Sequence, residues 1–136
     1  MRALYELVSS LKAAGEPIDG VGLQSHFVVG AVPKDLQEVM ANFAALGVDI
    51  AVTELDLRLR LPASEASLAM QAADYASVVR ACRATPCVGV TTWGISDDRS
   101  WIPSFFSGYG AALPFDENYR PKPAVPAMIS AFAPEP

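Results

Sequence analysis

The chain has a single histidine and only two cysteines among its 136 residues, which leaves little material for metal or redox chemistry. Cys82 and Cys87 are separated by Arg83-Ala84-Thr85-Pro86. A C-x4-C pair without a second pair or nearby histidines makes a poor zinc site, and it is not the C-x-x-C of a dithiol enzyme. The spacing permits a short disulfide loop, with buried free thiols as the alternative. The nucleotide-binding patterns GxGxxG and GxxxxGK[ST] do not occur, so the nucleotide-binding α/β architectures lose support. No run approaches the roughly 18 consecutive apolar residues that span a bilayer. The opening Met1-Arg2-Ala3-Leu4-Tyr5-Glu6-Leu7 does not read as a signal peptide, because Glu6 and Lys12 interrupt any apolar core. The net charge of −5 comes from interspersed acids and bases. It offers neither a basic stripe for nucleic acid nor a cationic amphipathic helix for a membrane surface. A globular protein with a neutral or weakly charged partner remains.

An apolar share of 51% supplies a sizeable core, and the length fits one ordinary domain. Leu4, Leu7, Val8 and Leu11 recur at helical spacing, and Gly15 stands at the expected C-cap before Pro17. Gly20 to His26 reads as a strand, followed after a loop by the helical set Leu36, Val39, Met40, Phe43 and Leu46, ended by Gly47. The next strand runs from Val48 to Asp56. Ser64, at or near a helix N-cap, precedes Leu68, Ala72, Tyr75, Val79 and Cys82 on one helical face. Val88 to Trp93 is a third strand. Gly94 to Pro123 shows little periodicity and reads as a long loop of the kind that carries function. Val125, Met128, Ile129 and Phe132 form the face of a last helix, with Pro123 and Pro126 tolerable in its first turn.

One helix followed by three strand-helix units, with strands too apolar to face water, predicts a parallel sheet with helices outside it. A barrel of repeated βα units fits best, because such barrels place their site at the C-terminal ends of the strands. Each strand here ends in chemistry-bearing residues: Gln24-Ser25-His26, Thr53-Glu54-Leu55-Asp56 and Thr92-Trp93-Gly94. Val48, Ile50, Val52, Glu54 and Asp56 share one parity of a period-2 strand, so an apolar face is expected to end in two acids pointing the same way. A complete barrel needs about 250 residues. The expected fold is therefore a partial (β/α)8 barrel, its last three βα units with one preceding helix.

Gly20-Val21-Gly22-Leu23-Gln24-Ser25-His26, Val52-Thr53-Glu54-Leu55-Asp56, Thr92-Trp93-Gly94 and Ser100-Trp101-Ile102-Pro103 resemble successive motifs of the family-10 glycoside hydrolases, mostly endo-1,4-β-xylanases. The stretch from Gly108 to Pro123 resembles that family's closing loop. The resemblance covers nearly all of residues 1–136 and implies the C-terminal portion of a retaining catalytic barrel, secreted, acting on xylan or xylo-oligosaccharides without a cofactor. It implies Glu54 as the nucleophile, where a carboxylate forms a glycosyl ester that water later hydrolyses. The bland reading of Glu54 is a solvated or salt-bridged strand-end acid. His26 would donate one ring N–H to Glu54 while Asp56 accepts from the other nitrogen. A satisfied packing histidine is the alternative, and one histidine with two acids is a poor zinc set.

Gln24 would reach a sugar hydroxyl or a catalytic carboxylate. Trp93 and Trp101 would stack on pyranose C–H faces, against the alternative of core packing. Phe105, Phe106, Tyr109 and Tyr119 read as loop packing, and Asp97, Asp98 and Arg99 as a solvated loop face. The family's Asn-Glu motif, which carries the general acid and base, does not occur in these residues: Asn42 precedes Phe43, and Glu117 precedes Asn118. The expected activity is thus endo-hydrolysis of 1,4-β-D-xylosidic linkages, with the missing acid and the N-terminal part of the barrel supplied by a longer protein. The competing readings are a non-catalytic fragment or pseudoenzyme that at most binds xylo-oligosaccharides, and an unrelated α/β interaction domain. An isolated three-strand slice is expected to associate through unpaired edges.

Overall fold

The computed structural model of the chain describes residues 2–133. Helix α1 spans Arg2–Ala13 and buries Val8. Its Tyr5 ring meets Phe43 edge-on at 5.7 Å, which docks it on helix α2, Leu36–Ala44. The buried residues of α2, namely Leu36, Met40 and Phe43, fall at i, i+4 and i+7, one stripe of a helix. Helix α3, Glu65–Arg83, starts where Ser64 accepts from Ser67 N and Ser67 Oγ accepts from Ser64 N, a reciprocal cap for two otherwise unpaired donors. Arg80 and Arg83 occupy its last turn, where the helix dipole favours cations. Arg83 also donates to Ala131 O and Ala133 O, tying α3 to the end of the last helix.

The sheet differs from expectation at its first strand, which breaks into β1, Gly20–Leu23, and β2, His26–Val28. Ser25, at φ 65°, lies in the left-handed region between them. His26 therefore opens β2 rather than closing a single strand. Strand β3 runs from Asp49 to Arg60, four residues beyond the expected end at Asp56. It is the centre of the sheet: β1 and β2 pair with it in parallel along one side, and β4, Cys87–Thr92, pairs in parallel along the other. Thus three parallel strand lines stand side by side in an open sheet, with the helices packed on one face.

The expected parity of β3 holds only in part: Glu54 and Asp56 point the same way, both toward His26, but not to the face of Ile50 and Val52. Val52 pairs with Val90 but Leu55 pairs with Thr92, three steps on β3 against two on β4. This bulge lets Ile50, Val52, Leu55 and Leu57 all enter the same core, which they share with Leu23, Met40, Phe43, Tyr75 and Val78. Past the bulge the buried apolar positions are odd-numbered, so Glu54 and Asp56 point away from the apolar layer instead of ending it. Gly22 packs close to this irregularity: a Cβ there would lie 3.0 Å from Thr53 Cγ2, so that methyl would have to shift.

The stretch expected to be one long loop carries a 3₁₀ turn at Asp97–Arg99, a short helix α4 at Ile102–Phe105, and strand β5, Tyr109–Gly110, antiparallel to Leu59 and Arg60. Helix α5, Ala124–Phe132, begins with the expected prolines in or beside its first turn. It packs on α3 through Ala131 against Ala76 and Val79. Cys82 and Cys87 form a disulfide that joins the end of α3 to the start of β4. No helix of the described residues is long and apolar enough to cross a membrane.

Candidate active site

The residues singled out at the strand ends converge on β3. Because β2 runs parallel to β3 with His26 level with Asp56, the imidazole sits between the two acids of the central strand. His26 Nδ1 lies 2.8 Å from Asp56 Oδ2, and Nε2 lies 3.2 Å from Glu54 Oε2. Both neighbours are carboxylates, so both contacts are hydrogen bonds only when each ring nitrogen carries its hydrogen. The Trp101 indole N–H donates to the same Asp56 Oδ2 at 2.8 Å. Its ring meets His26 edge-to-face, centroids 5.1 Å apart. Asp56 is 0% exposed, whereas Glu54 keeps about a fifth of its side chain open, 21%. One acid is thus sealed beneath the histidine and the tryptophan. The other faces solvent beside them.

Trp93 follows β4, and its backbone N–H extends the ladder to Leu55 O at 3.0 Å. Its side chain is 49% exposed, so an indole face stands free next to Glu54's strand. Trp101 is more enclosed, flanked by Phe105 and Phe106 at 5.2 and 5.6 Å. Arg58, two residues past Asp56, lies 4.2 Å above the Phe106 ring, a cation–π contact that backs this aromatic cluster. Phe106 is loop packing as expected. Phe105 packs one face on Trp101 and leaves the rest of its ring open, at 72% exposure. Gln24 is exposed at the break between β1 and β2, and the turn at Ser25 removes the shared face with His26 that a continuous strand would have provided.

The Asp97-Asp98-Arg99 segment departs from a solvated loop face. Asp98 and Arg99 do pair at the surface, 3.1 Å apart. Asp97 is instead nearly dry: Oδ1 accepts from Leu113 N at 2.8 Å, and Oδ2 pairs with Lys122 Nζ at 2.9 Å, with side-chain exposures of 11% and 8%. Burial pushes the Asp97 carboxyl above the usual carboxylate range, with the Lys122 bond opposing it, and burial pulls the Lys122 ammonium below the usual lysine range, opposed by Asp97. Tyr75, buried under the same region, is raised well above an ordinary phenol by burial and then by the Asp56 charge. Sequence reasoning missed this group. The available signal was Lys122 between two prolines in a segment otherwise apolar enough to pack.

The chain that carries this cluster, a carboxylate held by a histidine that a second carboxylate anchors, has known relatives. Residues 1–131 match the model for glycosyl hydrolase family 10. The chain belongs to that family. Among family-10 relatives it is 50% identical over 131 residues to endo-1,4-beta-xylanase A of Phanerodontia chrysosporium, a match covering 96% of this chain and 32% of the relative. It is 46% identical to an endo-1,4-beta-xylanase of Agaricus bisporus, covering 39% of it. A glycosylated endo-beta-1,4-xylanase from Gloeophyllum trabeum superposes with a TM-score of 0.92 at 55% identity, over 96% of this chain and 41% of that one. A family-10 xylanase of Bispora sp. MEY-1, solved with xylobiose, gives 0.91 at 43% identity, over 96% and 42%. The chain therefore spans about a third to two-fifths of the length of the xylanases it matches. Its open sheet corresponds to part of a (β/α)8 barrel.

Proposed function

We propose that these residues form the C-terminal portion of a retaining endo-1,4-β-xylanase barrel and that Glu54 is its nucleophile. The observation that carries this reading is the His26 contact to Glu54 Oε2 at 3.2 Å, with the same ring anchored on buried Asp56 at 2.8 Å. In the first step the Glu54 carboxylate attacks the anomeric carbon, the bond to the leaving sugar breaks, and a glycosyl ester forms. In the second, water hydrolyses that ester and Glu54 is regenerated. Loss of the Glu54 charge on ester formation leaves His26 its Asp56 partner, so the ring does not lose its orientation midway. Trp93 offers an indole face to pyranose C–H groups, and Trp101 fixes the floor of the site through Asp56. Gln24, exposed at the break between β1 and β2, would serve to bind sugar hydroxyls.

A retaining mechanism needs a second carboxyl about 5–5.5 Å from the nucleophile to protonate the leaving oxygen. Asp56, the other acid bonded to His26, is sealed and already accepts two hydrogen bonds on Oδ2. The acid/base therefore comes from outside these residues, and without it the chain forfeits a factor of about 10²–10⁴. The substrate is xylan or its oligomers, by likeness to relatives solved with xylobiose. The Cys82–Cys87 disulfide suits a secreted enzyme, since such bonds persist in oxidising compartments.

The test is turnover of an aryl xylobioside by the chain alone and by a fusion carrying the N-terminal barrel part of the Phanerodontia chrysosporium relative. The chain alone should be nearly inert and the fusion active. Glu54→Ala in the fusion should lose a factor on the order of 10⁴ or more, and added azide should restore turnover as a glycosyl azide of inverted configuration. Full turnover by the chain alone, or an active Glu54→Ala fusion, would overturn the assignment. A second reading, favoured by the half-exposed Trp93, is a non-catalytic xylo-oligosaccharide binder. Calorimetry with xylohexaose, with and without Trp93→Ala, distinguishes it.

A further inference from the structure

The loop between β4 and α5 carries both tryptophans, and its middle is held by a polar cluster that no step above uses. Asp97 lies four residues after Trp93 and four before Trp101. Its two oxygens take Leu113 N and Lys122 Nζ. Lys122 Nζ also donates to Ala111 O at 2.7 Å, and Gln71 Nε2 from α3 reaches that same carbonyl at 2.6 Å and Leu57 O at 2.7 Å. Ala112 O accepts from Tyr75 Oη at 2.7 Å and from Leu57 N at 3.1 Å. One connected set of bonds thus runs from the turn before Trp101, through Lys122, to the residue next to Asp56 on β3.

A nearly dry ion pair is an expensive way to hold a loop, since desolvation can exceed the attraction between the charges. Here burial is the leading cause of the shift on both members. What such a pair provides in exchange is a fixed register. Both segments it joins lead directly to site residues: the 3₁₀ turn at Asp97–Arg99 runs into Trp101, and Ala111–Leu113 lies along Leu57.

We propose that Asp97 and Lys122 are positioning residues that clamp this loop so that the Trp101 indole N–H stays on Asp56 Oδ2, next to the His26 bond. Their effect on chemistry rests on the role of Glu54 proposed above, but their effect on the indole does not. The groups facing Asp97 are Lys122, Glu117 and Tyr75 of α3. Those facing Lys122 are Asp97, Asp116 and Glu117. Neutralising either member leaves the other buried without its counter-charge and releases the clamp.

The test reads the two indole N–H resonances of the ¹⁵N-labelled chain, with Trp93→Phe assigning the one from Trp101. A hydrogen bond to a carboxylate places the Trp101 proton downfield. In Lys122→Met and in Asp97→Asn it should move upfield or divide between two positions, whereas Lys122→Arg should retain it. A titration of the unaltered chain, over a range in which circular dichroism shows it folded, guards against variants that fail to fold. The downfield position should be lost as pH rises, with a midpoint below the ordinary lysine value of 10.5, and Lys122→Arg should move that midpoint upward. A Trp101 resonance that stays in place in the folded variants, or throughout the titration, would overturn the proposal whatever the enzyme assay shows.

Discussion

Replacing Asp56 by asparagine, a substitution of nearly the same shape, should destabilise the chain by about 2–4 kcal/mol. Asp56 Oδ2 accepts from His26 Nδ1 and from the Trp101 indole, each at 2.8 Å, in a position with no solvent exposure. An asparagine can keep an oxygen there, so both bonds survive but lose the acceptor's charge. A bond to a charged group contributes about 1.5–3 kcal/mol and a neutral one about 0.5–1.5 kcal/mol, which makes the two downgrades cost about 2–3 kcal/mol together. The amide nitrogen then takes the place of Oδ1, a buried oxygen that has no hydrogen-bond partner. Two N–H donors brought into that position cost about 1–3 kcal/mol more if left unmet. Removing a buried negative charge offsets part of the sum. Urea unfolding followed by circular dichroism, with an unchanged denaturant slope, measures the net value. In a Trp101→Phe background one of the two bonds is already gone, so the same substitution should cost about 1 kcal/mol less. A penalty below about 1 kcal/mol, or one that is equal in both backgrounds, would refute the claim that Asp56 organises the site through these two donors.

Converting both Cys82 and Cys87 to alanine should lower stability by about 2 kcal/mol, the chain-entropy value for so short a loop; thermal or urea unfolding checks it, and no change would mean that the α3–β4 junction is held by packing alone. Gly94→Ala should be worse than a surface glycine change, because Gly94 has φ 120° and a Cβ there would lie 2.8 Å from Leu113 Cδ1, a side chain with no exposure. A loss of about 1–3 kcal/mol is expected from overpacking and backbone strain together, and a Leu113→Ala background should relieve the steric part. An unaltered melting curve for Gly94→Ala would show that the loop yields at that point.

Much of the fold was legible because the helices bury simple stripes and the strands are apolar runs with chemistry at one end. The meeting of His26, Glu54 and Asp56 also followed from strand order, since neighbouring parallel strands bring their C-terminal ends together. Three features were not legible. The break at Ser25 needs a left-handed non-glycine residue, which carries no mark in a serine. The bulge between Val52 and Leu55 carries no glycine or proline to mark it, so a regular period-2 reading continued through it and put the acids on the wrong face. The Asp97–Lys122 pair joins residues 25 apart. Charges in a proline- and glycine-rich stretch ordinarily read as solvated, and only the tertiary path of the loop buries them.

The bulge explains how one strand can serve both the core and the site. A regular β3 with Val52 on the helix side would turn Glu54 and Asp56 toward Met40, Phe43 and Tyr75, and strand two carboxylates in the apolar layer at a large desolvation cost. One extra residue on β3 lets Leu55 and Leu57 resume the packing begun by Ile50 and Val52, while both acids turn to the opposite face, where His26 and Trp101 supply donors. The irregularity is therefore not a flaw at the end of an apolar strand. It is what allows Asp56 to be fully buried and yet hydrogen-bonded, and Glu54, two residues away on the same side, to remain open to a ligand.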